Sequence, residues 1–175
     1  GIWSLLVKRE IIKNNKLQFA EGYRYSEDIE MIFKMIANCK FIVYTTKQLY
    51  LYRERNTSVM SLVDEKRLDG MKLMKELECY FDNERPDFSK KFKKFGIARW
   101  LWATLWQIAI ASDSYNDFLK NAVQYNAKCY MGRLIYFPKI KVALSAMIYK
   151  LSPFIYYKIV KKVIEKNTYR KFNKF

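Results

Sequence analysis

Two adjacent carboxylates, Glu27 and Asp28, occupy the position in this chain best suited to chemistry. They follow a glycine-containing stretch, residues 21–26, and open an apolar run of helical spacing. Acids so placed sit at the positive end of a helix dipole, beside backbone N–H groups with no intrahelical partner. That setting suits a base that accepts a proton while orienting a hydroxyl. It also suits a simple helix stabiliser, worth about 0.3–1 kcal/mol.

Much other chemistry is excluded by residue type. The 175 residues contain no histidine, so Ser/His or Cys/His nucleophilic sites and His-ligated metals are absent. The three cysteines, Cys39, Cys79 and Cys129, are far apart and form no Cys-x-x-Cys, which argues against a disulfide framework or a zinc site. No Asp-x-Asp occurs; Asp82-Asn83-Glu84 is the nearest imitation. Hydrophobic residues make up 51% of the chain and aromatics 17%, so it folds despite a net charge of +16. With 5 Gly and 3 Pro, a turn-rich β sandwich is disfavoured.

The elements that must position these groups are α+β, predominantly helical. Residues 2–12 are mostly apolar and helix-compatible, ending at Asn14-Asn15. Ser26 starts a helix that carries Glu27 and Asp28 in its first turn and Ile29, Ile32, Phe33, Ile36 and Ala37 as an apolar stripe. Residues 41–45, Phe-Ile-Val-Tyr-Thr, predict a strand, and residues 49–52 a second. Ser61 and Asp64 form a plausible helix cap ahead of the stripe Leu68, Met71, Leu73, Met74, Leu77 and Phe81. Residues 83–94 are charged, contain Pro86 and read as a solvated connection. Residues 97–111 are apolar nearly all round. They fall short of the ~20 residues of a membrane span and include Arg99 and Gln107, so a buried helix is expected. Residues 114–130 are amphipathic, with Tyr115, Phe118, Leu119, Ala122 and Val123 on one side. Three regions result: 1–60, 61–135 and a basic tail, 136–175.

The ordered set Trp3…Leu6…Arg9…Ile12, Asn15, Leu17-x-Phe19-x-Glu21-Gly22, Glu27-Asp28 and Leu49-Tyr50-x-Tyr52-Arg53-x-Arg55-x-x-Ser58-x-Met60 resembles the second half of the catalytic domain of family 2 (GT-A type) glycosyltransferases of bacterial polysaccharide synthesis. The resemblance covers about the first 60 residues and implies a small α/β remnant of a GT-A domain, followed by an α-helical C-terminal region. It implies inverting transfer from a nucleotide-sugar donor to a saccharide or lipid-linked acceptor. Asp28 would be the general base, and Glu27 would orient loop or acceptor. Trp3 would offer an aromatic face to a sugar, and Arg53, Arg55 and Ser58 would contact phosphate oxygens. The last three also read as an ordinary solvated loop. A divalent metal, Mg or Mn, is expected in the full-length enzyme but not on this chain alone. The family's nucleotide-binding half and its Asp-x-Asp are missing, so the chain reads as the C-terminal part of a longer enzyme, inactive in isolation.

Charge is concentrated in the tail: residues 121–175 hold 12 basic and 1 acidic side chain. Residues 139–166 interleave lysines with aliphatic and aromatic residues, broken by Pro153 into two short helices, and Phe154, Ile155, Ile159, Val160, Val163 and Ile164 are the apolar side of the second. Such helices lie in membrane interfaces, which predicts a cytoplasmic protein, peripheral on the inner face of the cytoplasmic membrane. The apolar faces equally suit packing on the rest of the protein. Nucleic acid is disfavoured as a partner, since charge is the only feature in its favour. The rival to an enzyme is therefore a non-catalytic basic helical module on an anionic membrane surface, with Glu27-Asp28 as a helix cap.

Overall fold

A computed structural model describes residues 1–23, 25–47, 49–51 and 67–172. The described residues are predominantly helical and include no strand. The chain divides into two compact units, Gly1–Lys90 and Lys91–Phe175, so the division falls inside the 61–135 region of the sequence reading.

In the first unit, a 3-10 turn at Ile2–Ser4 precedes helix α1, Arg9–Asn14. The expected single helix over residues 2–12 is therefore two pieces. On one straight helix Ile2 would point well away from Val7, Ile11 and Ile12. The break instead lets all four pack on a cluster of Leu17, Met31 and Met35. Helix α2, Glu27–Ala37, supplies the two methionines and starts where the sequence predicts. Helix α3, Arg67–Glu84, buries Met71, Leu73, Met74, Leu77 and Phe81 of the predicted stripe, while Leu68 is half-buried.

The strand expectation over residues 41–45 fails. Residues 41–46 form no ladder, and Phe41, Ile42, Val43 and Tyr44 are each at least 66% exposed. Strand backbone needs a neighbouring strand for its N–H and C=O groups, and the described residues offer none. Leu49, Tyr50 and Leu51 are likewise exposed and irregular. The remainder of that second strand and the Ser61–Asp64 cap lie outside the described residues.

Residues 83–94 are largely helical rather than a solvated connection. Pro86 is the first residue of helix α4, Pro86–Lys91, a position where its missing N–H costs nothing. Arg85 donates to both oxygens of Asp87 at 3.0 and 2.7 Å, and the Ser89 hydroxyl bonds to Asp82.

The second unit opens with a π turn, Phe92–Gly96, that runs into helix α5, Ile97–Ala111. α5 is central: Ile97, Leu101, Leu105 and Ile108 are fully buried, as its apolar circumference predicts. Helix α6, Tyr115–Gln124, begins with a capping box in which Ser114 and Asp117 satisfy each other's backbone N–H groups. The predicted 114–130 helix breaks at Asn126, which is left-handed (φ 51°) and starts helix α7, Ala127–Arg133. Val123, expected on the packed side with Phe118 and Ala122, is exposed.

Helices α8, Ile140–Leu151, and α9, Pro153–Phe172, follow the predicted break at Pro153. The Phe118 ring lies 5.3–6.4 Å from those of Tyr149, Tyr156 and Tyr157, fixing both helices to α6. Lys161 donates to the carbonyls of Ile110 and Ser112 at the end of α5, at 3.0 and 2.7 Å, a favourable place for a cation. No described helix is long and apolar enough to cross a membrane.

Candidate functional site

The loop that delivers Glu27 and Asp28 is held by backbone conformation and by two tyrosines. Gly22 is left-handed (φ 81°), a conformation glycine adopts without steric penalty. Tyr23 then donates its phenol to Glu76 of α3 at 2.5 Å, and this hydrogen bond is the chief cause of a raised Tyr23 pKa. Tyr25 is buried. Ser26, the residue before α2, is also left-handed (φ 72°), and its hydroxyl does not cap the helix. A non-glycine residue in that region carries backbone strain of about 1–2 kcal/mol.

The acid pair follows directly. Asp28 is half-buried, and its Oδ1 accepts the Ile29 N–H at 2.7 Å. Glu27 is half-buried as well, with Oε2 shielded from solvent and lacking a hydrogen-bond partner among the described residues. One turn on, Glu30 is buried and ion-paired with Lys34. The Lys34 ammonium stands 5.1 Å from the Tyr80 ring centre, and Asn38 donates to the Tyr80 oxygen at 3.1 Å. Glu27, Glu30 and Lys34 thus form a row along one side of α2, with Asp28 on the adjoining side. Glu30 was not singled out from the sequence, although its spacing from Lys34 is that of a helical ion pair.

Trp3 belongs to the turn that packs on α2, so it shares that element with the acid pair. It is 47% exposed, and its ring stacks on Tyr50 with centres 6.3 Å apart and planes at 30°. Gly1 lies against the same ring, where a Cβ would come within 2.3 Å. The indole is thus already engaged by Tyr50, a partner that sequence spacing did not reveal. Arg53, Arg55 and Ser58 lie outside the described residues.

A polar cavity of about 480 Å³ is lined by Asn14, Asn15, Lys16, Asn38, Tyr80 and Glu84. It lies at the far end of α2, about 15 Å along the helix axis from Asp28 by helical rise, and is no part of the acid-pair site. Among the described residues no three or more Cys, Asp or Glu side chains are grouped to hold a metal ion. Among the described residues, the groups present do not fit a divalent cation. What they can do is accept a proton at Asp28 and hold a polar group beside Glu27.

Comparison with protein-family models, with curated proteins and with solved structures gave no match.

Proposed function

We propose that this chain is the C-terminal part of an inverting, family 2-like glycosyltransferase acting in polysaccharide synthesis, and that it contributes the catalytic base. The observation that carries this reading is the Glu27-Asp28 pair in the first turn of α2, delivered by a loop with left-handed residues at Gly22 and Ser26. A strained non-glycine residue immediately before a candidate acid is a mark of functional constraint. The exposed run Phe41–Tyr44 supports the same reading, since it has the composition of a strand and no partner strand among the described residues. A sheet supplied by a preceding half of the enzyme would give it one.

In this mechanism Asp28 takes the proton from an acceptor hydroxyl as that oxygen forms its bond to the anomeric carbon of the donor. The bond from that carbon to the nucleoside diphosphate breaks on the opposite face, and configuration inverts. Glu27 orients the loop or the acceptor, and Trp3 borders the site. Arg53, Arg55 and Ser58 contact donor phosphates. The expected Mg or Mn would be held by the donor half, and no step on this chain's residues passes through it. The acceptor is a saccharide or a lipid-linked sugar, and a lipid-linked one suits a peripheral protein on the inner face of the cytoplasmic membrane.

Two measurements test the reading. In the longer protein, Asp28→Asn removes transfer while donor binding persists; transfer at an unchanged rate refutes the assignment. The 175-residue chain alone does not turn over nucleotide sugar, and detectable transfer by it contradicts the view that the donor half is required.

A further inference from the structure

Helix α8 has two apolar faces, and its own fold uses one of them. Val142, Ala146 and Tyr149 are buried in the second unit. On the opposite side Ile140, Leu144, Met147 and Leu151 recur at spacings of four, three and four residues, forming one stripe. They are 79%, 55%, 43% and 80% exposed. A helix that packs one face ordinarily turns charge to water on the other. Here the charge lies at the sides: at 100° per residue, Lys141 and Lys150 fall about a quarter turn from the stripe, one on each edge. Both lysines are exposed.

The stripe continues round the Pro153 corner. Phe154 and Ile155 are exposed at the head of α9, and Ile159 and Val163 repeat the exposure at four-residue intervals. Lys158 and Lys162 are exposed beside them, with the Lys158 ammonium 4.8 Å from the Phe154 ring centre. Val160, read from the sequence as part of the apolar side with these residues, is buried in the unit instead.

We propose that this surface, the α8 stripe with the head of α9, seats the protein on an anionic lipid interface. Ile140, Leu144, Met147 and Leu151 enter the boundary between headgroups and acyl chains, and Lys141 and Lys150 reach lipid phosphates on either side. Charge selects this occupant. Residues 121–175 carry 12 basic and 1 acidic side chain, complementary to an anionic leaflet. Two copies meeting through this face would instead bring like-charged lysine edges together. A nucleic acid would meet the lysines but leave the aliphatic stripe in water. The inference stands on the second unit alone. It gives the membrane location in the glycosyltransferase reading a specific surface, and its failure would leave the Asp28 test untouched.

The test is co-sedimentation of the 175-residue chain with vesicles of phosphatidylcholine alone and of phosphatidylcholine mixed with phosphatidylglycerol. Partitioning onto the mixed vesicles is expected to exceed that onto the neutral ones by about tenfold or more, and to fall as salt rises. Both Leu144→Gln/Leu151→Gln and Lys141→Glu/Lys150→Glu should reduce it by about tenfold, with circular dichroism unchanged because all four side chains are exposed. Leu144→Trp should add emission that shifts to the blue on anionic vesicles and is quenched by lipids brominated in the acyl chains. Equal partitioning onto neutral and anionic vesicles overturns the proposal. So does loss of binding in the lysine variant only, which would mean adsorption without insertion. Lipid-free self-association that disappears in the leucine variant overturns it too, because a second copy would then cover the stripe.

Discussion

At the residue scale, the account rests on backbone conformation around the acid pair as much as on the acids themselves. Gly22 and Ser26 are both left-handed, yet only one is a glycine. Ser26→Gly and Ser26→Ala both delete the hydroxyl, so the difference between them isolates backbone strain; the glycine variant should be more stable by about 1 kcal/mol in urea denaturation. Gly22→Ala should cost about 1 kcal/mol through strain alone, because a Cβ at that position meets nothing within 4 Å. The sequence shows the acids at a helix start because acidic first turns follow turn residues so regularly. It does not show that Ser26 is strained and uncapping, since serine before a helix normally supplies the cap. Nor does it show the stacking of Trp3 on Tyr50, a contact across 47 positions that only the folded chain creates.

At the element scale, helices set by strong periodicity are legible and those set by local exceptions are not. α3, α5 and the α8–α9 break at Pro153 follow from apolar spacing and from proline. α4 is missed because Pro86 reads as a breaker when it is in fact an initiator. The 41–45 run fails for a different reason: its composition is that of a strand, but a ladder is a property of two segments. Gly96 closes the π turn before α5, and a Cβ there would come 2.4 Å from the buried Phe92 ring. Gly96→Ala should therefore destabilise the second unit by about 1–3 kcal/mol, read from its thermal midpoint. The tyrosines that pin α8 and α9 make a pH prediction. Burial pushes Tyr149 up to about 12 and raises Tyr156 as well, whereas an unfolded tyrosine titrates near 10. Above pH ~10 the unfolded chain releases these protons before the folded one does. Stability is then fully present below pH ~10 and lost as pH rises through about 12. The part of the tyrosinate absorbance that belongs to these buried tyrosines should therefore appear together with the loss of far-ultraviolet dichroism in that window. Ionisation complete below it with helicity intact would contradict the packing described for Phe118.

At the scale of the whole molecule, composition shows where charge accumulates but not which face carries it. The excess of lysine after residue 121 is plain in the sequence, and amphipathic spacing marks residues 139–166 as two helices. Spacing cannot divide a helix with two apolar faces into the packed and the free one. The structure does so, burying Val160 and Tyr149 and leaving Leu144 and Ile155 outside. The acid pair and its loop lie in Gly1–Lys90, and the lysine-edged apolar surface lies in Lys91–Phe175. The central claim concerns the first. It is tested most directly by steady-state transfer in the proposed full-length enzyme with Asp28 changed to Asn, a substitution of nearly equal size that cannot accept the proton. The account predicts that kcat falls by about 100-fold or more, with donor affinity and helicity unchanged. A kcat within about threefold of the unsubstituted enzyme would contradict it and leave Glu27 and Asp28 as helix-stabilising acids.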